Sequence, residues 1–176
     1  MNANWPNDIF RLFKEQSIGL VAYVPDAGHA ALIRACQADP AIRAVPLTTE
    51  EEGIPLAAGA YMGGQKSAIL MQSSGTGNCI NMLSLAATCQ FPLLMLVTMR
   101  GEWGEFNPWQ LPMGQSAQKA LEVAGMIVQR ADRPDEVYPT VSAAARMAYN
   151  SQAAVAVLLG QRLMGSKSFG VSDVHD

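Results

Sequence analysis

Three glutamates in succession, Glu50, Glu51 and Glu52, precede Gly53 and the small residues Ala57, Ala58, Gly59 and Ala60. Acidic residues in a first helical turn complement the helix dipole, so capping is one reading of them. At about 100° per residue the three cannot all face solvent equally. A carboxylate left on the small-residue face can meet a ligand or another subunit. A second run, Gln72-Ser73-Ser74-Gly75-Thr76-Gly77-Asn78, mixes glycines with hydroxyls. Such a turn can present backbone N–H groups to an anion. It is neither a Walker A loop nor a GxGxxG turn, and it lacks the P-loop lysine. The plain alternative is a helix N-terminus capped by Ser74 or Thr76. A third cluster is the corner Pro25-Asp26-Ala27-Gly28-His29. His29 and His175 are the two histidines, too few for a metal or Ser-His-Asp constellation. His29 is read either as a helix-start residue or as lining a site. Arg100 opens a fourth segment, about Met99 to Gln115, containing Trp103, Phe106 and Trp109. Aromatics with arginine favour contact with a ligand or partner.

The elements that must position these residues follow from the pattern. Short apolar runs over Ile18–Val24, Ile42–Leu47, Ala68–Gln72, Phe91–Met99, Met126–Gln129 and Ala153–Leu159 predict strands. Helices are expected over about Asn7–Gln16 and Gly28–Ala38, from Glu50, from Gly77, over Ala117–Ala124 and over Pro134–Asn150. Continuous apolar strands alternating with helices predict an α/β fold, an open doubly wound parallel sheet with helices on both faces. Ligands of such sheets bind at the carboxyl ends of the strands, where the four polar clusters fall. Cys36 and Met71, Met82, Met95 and Met99 read as core packing.

A chain of 176 residues fits one domain. Charged residues are only 15% of it, against about 25% in ordinary domains, which suggests surface buried against another chain. The net charge is −3 and the basic residues are scattered, so a nucleic-acid partner is not expected. Cys36, Cys79 and Cys89 are odd in number and have no CxxC spacing, so neither a disulfide framework nor a metal site is expected. The run Phe91–Met99 is about half of a membrane span, and the start of the chain does not resemble a signal peptide. A cytoplasmic location is the expectation.

Four segments in order carry a resemblance. They are Pro46 to Gly53, Ala58-Gly59-Ala60-Tyr61, Ala68 to Asn78, and Met99-Arg100-Gly101-Glu102. Together they resemble the pyrimidine-binding (PYR) half of thiamine-diphosphate-dependent enzymes, on the side of the sulfopyruvate and phosphonopyruvate decarboxylases. The resemblance runs from about Ile18 to Leu159. It implies a PYR-type domain over 1–164, with 165–176 a polar tail.

The resemblance also implies an activity: conversion of a small anionic 2-oxo acid to an aldehyde and carbon dioxide, with thiamine diphosphate and Mg2+. A glutamate of the PYR domain then hydrogen-bonds N1′ of the aminopyrimidine. Gly59, nine residues on, points to Glu50, the first choice here; Tyr61 points to Glu51. Gln72, Ser74 and Gly75 would lie against the cofactor. Pro25, Asp26, His29, Gln72 and Arg100 would face the substrate, with Arg100 suited to an oxyanion. The family anchors magnesium and the diphosphate on a Gly-Asp-Gly segment, and none occurs in this sequence. A partner (beta) subunit carrying that PP domain is therefore implied, in an oligomer. A carboligase on the same scaffold and a non-catalytic PYR-like binding or regulatory module remain the alternatives.

Overall fold

The computed structural model describes residues 4–165. The expected tail from 166 onward, with His175, lies outside the described residues. Six strands, β1 (Ile18–Tyr23), β2 (Arg43–Pro46), β3 (Lys66–Gln72), β4 (Leu93–Thr98), β5 (Ile127–Ala131) and β6 (Ala154–Leu159), form one sheet. Their order is β2-β1-β3-β4-β6-β5 and every pairing is parallel.

Strand side chains alternate between two apolar layers, as period two requires. Val21, Leu70, Leu96 and Val157 face one layer with Ile9, Leu12 and Phe13 of α1 (Trp5–Glu15), Leu32 of α2 (Ala30–Ala38) and Val141 of α7 (Pro134–Ser151). Leu20, Ile69, Met95 and Leu158 face the other. There they meet Ile54 of α3 (Gly53–Met62), Cys79 of α4 (Thr76–Cys79), Ala86 of α5 (Ser84–Cys89) and Leu121 of α6 (Leu111–Val123). α8 (Gln161–Met164) follows β6. The doubly wound sheet expected from the sequence is the one observed. Cys36 and Met71, Met95 and Met99 are buried in it, and Met82 packs partly buried against it.

The strand order reverses twice. β1 sends its chain to α2 on one face, whereas β3 leads to α4 on the other. A crevice therefore opens between the carboxyl ends of β1 and β3. The same divergence occurs between β4 and β6.

Several boundaries differ from expectation. α2 begins at Ala30, because Gly28 and His29 belong to the turn that follows Asp26. The loop after β4 is shorter than expected. Pro108 opens a 3-10 turn over Pro108–Gln110, and α6 starts at Leu111 with Pro112 in its first turn. Proline is preorganised for such starts, so the aromatic segment joins the helix directly. The short helices α5 and α8 have too few turns to leave a period in the sequence.

Leu70 is fully buried in the middle of β3. Leu70→Ala should cost about 2–5 kcal/mol of stability through lost burial and a cavity, read from denaturant unfolding.

Candidate functional site

Asp26 sits just past β1 at the β1–β3 crevice, and its carboxylate gathers donors from three segments. Oδ2 accepts the Gly28 N–H at 3.0 Å and the Thr98 hydroxyl at 2.6 Å. Oδ1 accepts the Gln72 side-chain amide at 2.8 Å. The Gln72 carbonyl oxygen accepts the Ser74 hydroxyl at 2.9 Å, which fixes the amide's orientation. So Asp26, Gln72 and Ser74 form one connected group at the ends of β1 and β3. Thr98, from the end of β4, completes it and was not among the residues singled out from sequence. Its one signal was a hydroxyl closing an otherwise apolar run. Pro25 is exposed and lines a shallow groove with Asp26, Ala30, Ile33 and Arg34.

His29, expected either to start a helix or to line the site, lies beneath the corner. It is 0% exposed and packs under the turn, with Nε2 against the Leu96 carbonyl at 3.1 Å and Nδ1 buried without a hydrogen-bond partner. Burial holds its pKa below the ordinary value, outweighing the nearby Asp26 charge.

The acidic corner divides its three carboxylates. Glu52 is a cap: its Oε2 accepts the Thr48 N–H at 2.9 Å and the Thr49 N–H at 3.4 Å. Glu50 reaches across to the turn after β3, where Oε2 accepts the Asn78 amide at 2.8 Å. Its carboxylate lies over Gly75, where an added Cβ would stand 2.3 Å from Glu50 Oε1. Glycine is therefore the residue that admits this close approach. Glu51 is different: its Oε2 is buried and has no hydrogen-bond partner. Burial pushes the Cys79 thiol up to about 12, and the Glu50 and Glu51 charges add to the effect, so both carboxylates lie near it. Neither Ser74 nor Thr76 caps a helix as the plain reading proposed. Ser74 bonds to Gln72, and the Thr76 hydroxyl donates to the Ser73 carbonyl at 2.6 Å.

Arg100 stands on the same rim and lines a narrow recess with Asp26, Gly28 and Thr98. The face expected to grip an oxyanion is already closed. Nε and Nη2 each donate to Glu105 at 2.6 Å in a bidentate fork. Glu105, with a side chain only 2% exposed, also accepts from Gly101 N at 3.2 Å, Asn107 N at 3.0 Å and Gln161 Nε2 at 2.9 Å. Gln161 Oε1 in turn accepts the N–H groups of Glu102 and Trp103. Glu102 and Asp132 both pair with Arg130. These bonds fix the loop after β4, and Glu102, Trp103, Arg130, Asp132 and Gln161 line a polar cavity of about 470 Å³ on the β4–β6 side. The loop carries Trp103, Phe106 and Trp109 outward, and Trp109 is 81% exposed.

Among the described residues no group of three His, Cys, Asp or Glu side chains is placed to hold a metal ion. No helix among them is long and apolar enough to cross a membrane.

Comparison with known proteins bears on this geometry. Residues 4–120 match the family model described as thiamine pyrophosphate enzyme, N-terminal TPP binding domain. The chain is 36% identical over 160 residues to the sulfopyruvate decarboxylase subunit alpha of Methanococcus maripaludis, covering 90% of this chain and 95% of that one. It is 38% identical over 120 residues to a sulfopyruvate decarboxylase of Methanosarcina acetivorans, covering 67% of this chain and 30% of that protein. The fold resembles part of a 2-oxoglutarate:ferredoxin oxidoreductase from Magnetococcus marinus, with a TM-score of 0.73 and 17% identity. That match covers 93% of this chain and 29% of the other.

The Arg100–Glu105 pair makes stability depend on pH. The Arg100 fork, helped by the Asn107 and Gly101 N–H groups, holds the Glu105 carboxyl at about 2, against an ordinary 4.5. A depressed carboxyl pKa stabilises the fold above the unfolded value, and that contribution is lost as pH falls through the folded one. The unfolding free energies of the wild type and Glu105→Gln should differ most near neutrality. The gap should narrow between pH 4.5 and 2. A gap that does not change with pH would refute the pairing's role.

Proposed function

The chain belongs to the family of thiamine pyrophosphate enzyme N-terminal domains, and from that premise we propose that it is the pyrimidine-binding, alpha-type subunit of a heteromeric 2-oxo acid decarboxylase. The substrate class is a small anionic 2-oxo acid of the sulfopyruvate type, cleaved to an aldehyde and carbon dioxide. The observation that carries the reading is the buried Glu51 Oε2 without a partner, in an acidic corner whose two other carboxylates are engaged.

An aminopyrimidine suits these residues. A buried carboxylate oxygen without a donor is costly, and a protonated ring nitrogen would satisfy it. Glu51 is therefore assigned to hold the proton at N1′, in place of the Glu50 favoured by spacing to Gly59. Glu50, tied to Asn78 and seated on Gly75, braces the turn behind it. The cofactor, when bound, supplies the electron-accepting ring that lets carbon dioxide leave. Asp26 and Gln72 face the substrate side as a fixed polar pair, with Ser74 setting the amide's direction. Arg100 orders the loop through Glu105.

The diphosphate and Mg2+ are assigned to a second subunit. This sequence has no Gly-Asp-Gly segment. A relative that matches nearly end to end is named a subunit alpha, and the Methanosarcina relative is a much longer chain. The exposed Trp103 and Trp109 suit such a partner.

Three measurements test the reading. By calorimetry, the purified chain should bind thiamine diphosphate weakly with or without Mg2+, and tightly once the partner is added. Submicromolar binding by the chain alone would sink the split-site assignment. In the reconstituted enzyme Glu51→Gln should lower kcat by about a hundredfold or more and weaken cofactor binding. Glu50→Gln should cost less than this, and Glu52→Gln, whose amide oxygen still accepts the Thr48 and Thr49 N–H groups, should be mild. Normal turnover of Glu51→Gln would rule out its role. Finally, Arg100→Lys should reduce kcat/KM for sulfopyruvate and pyruvate alike, because it loosens the loop. A loss confined to sulfopyruvate would restore Arg100 as a reader of the distal anion.

A further inference from the structure

We propose that Thr98 is a positioning residue for this reaction: its hydroxyl locks the Asp26 carboxylate in one orientation at the β1–β3 crevice. The inference rests on the reading of Asp26 as a substrate-facing group. Asp26 lies on a turn, and the N–H of Gly28 in that same turn cannot by itself fix the carboxylate against the sheet. The rigid donors come from strand ends, Gln72 from β3 and Thr98 from β4.

The arrangement is directional. The threonine hydroxyl has one proton, and Asp26 Oδ2 at 2.6 Å is a much better acceptor for it than the Met71 carbonyl at 3.4 Å. A carboxylate has about four acceptor sites. Thr98 and Gly28 take both on Oδ2 and Gln72 takes one on Oδ1, so one site on Oδ1 is left for a substrate or a proton.

Thr98 is also an unusual residue for its place. It is 1% exposed and is the one polar side chain in Leu93–Thr98. A buried hydroxyl is costly unless it is used, and valine would fill the same space. Its methyl group packs on Gly28, where an added Cβ would stand 2.8 Å from Thr98 Cγ2. That contact and β-branching hold the hydroxyl on Asp26. The charged and titratable groups around the carboxylate are Arg100 on the rim, Arg34 across the groove and His29 buried beneath. No hydrogen bond between any of them and Asp26 occurs among the described residues.

Two substitutions separate orientation from packing. Thr98→Val keeps the shape and removes the hydroxyl, whereas Thr98→Ser keeps the hydroxyl and removes the methyl. In the reconstituted enzyme Thr98→Val should lower kcat/KM by about ten- to a hundredfold, and Thr98→Ser by no more than about threefold. A packing role predicts the reverse order and would overturn the inference. Thr98→Ala serves as the hydroxyl-free variant if Thr98→Val folds poorly.

A second readout does not depend on turnover. In the full chain labelled with carbon-13 at aspartate carboxyls, the Asp26 signal is identified by its loss in Asp26→Asn. It should move in Thr98→Val and stay in place in Thr98→Ser. A signal unchanged by Thr98→Val would refute the contact even if activity fell. If the wild type decarboxylates no 2-oxo acid, the functional reading fails while this measurement still decides the positioning of Asp26.

Discussion

A parallel sheet covered on both faces leaves polar side chains almost nowhere to gather except its two ends. Here β4 is buried along its whole length, and β3 and β6 are nearly so. Their polar side chains sit at the strand ends, Lys66 and Ser67 at the amino end of β3, Gln72 and Thr98 at the carboxyl ends of β3 and β4. The chain after each strand must diverge to one face or the other, and where neighbours diverge a crevice opens. Asp26, Gln72 and Thr98 meet because β1, β3 and β4 are adjacent and end at the same level, with Gln72 and Thr98 directly paired in register.

The rim is organised by carboxylates in different states of engagement. Asp26 and Glu105 each collect donors from several segments, and Glu50 is tied to one turn. Glu52 is absorbed by a cap, and one oxygen of Glu51 is left with nothing. The segment after β4 is ordered by this pattern rather than by regular secondary structure. The Arg100 fork and the Gln161 amide hold its backbone from two sides. A neutral amide suits that role, because it donates to Glu105 with one end and accepts two N–H groups with the other.

Much of this was legible in the sequence. Apolar runs located all six strands, the four inner ones because strands buried on two faces leave unbroken hydrophobic stretches, and the edge strands β2 and β5 although they are only partly buried. The rule that ligands collect at strand ends brought Asp26, Glu50, Gln72 and Arg100 to one rim before any contact was known. Partnerships were not legible. Arg100 could pair with Glu102, with Glu105 or with a ligand, and the choice rests on the path of the loop after Gly101. Thr98 lies 72 residues from Asp26, and nothing local marks it as more than a strand end. The burial of His29 was hidden for a related reason. A polar residue beside a polar corner reads as exposed, yet the turn at Gly28 points it into the layer beneath. The ranking of Glu50 over Glu51 rests on the spacing of small residues; in the structure Glu50 Oε2 accepts from Asn78 and Glu51 Oε2 has no partner, a difference that spacing does not carry.

That lone oxygen links binding to folding. An unsatisfied buried acceptor costs about 1–3 kcal/mol. Any group that brings a donor to it lowers the free energy of the folded state and leaves the unfolded one untouched, so occupancy raises the domain's melting temperature. Without such a donor the fold carries that cost, and proteolysis, which samples opened chains, cuts it more readily. The acidic corner thus ties the durability of the fold to whatever donor reaches Glu51 Oε2.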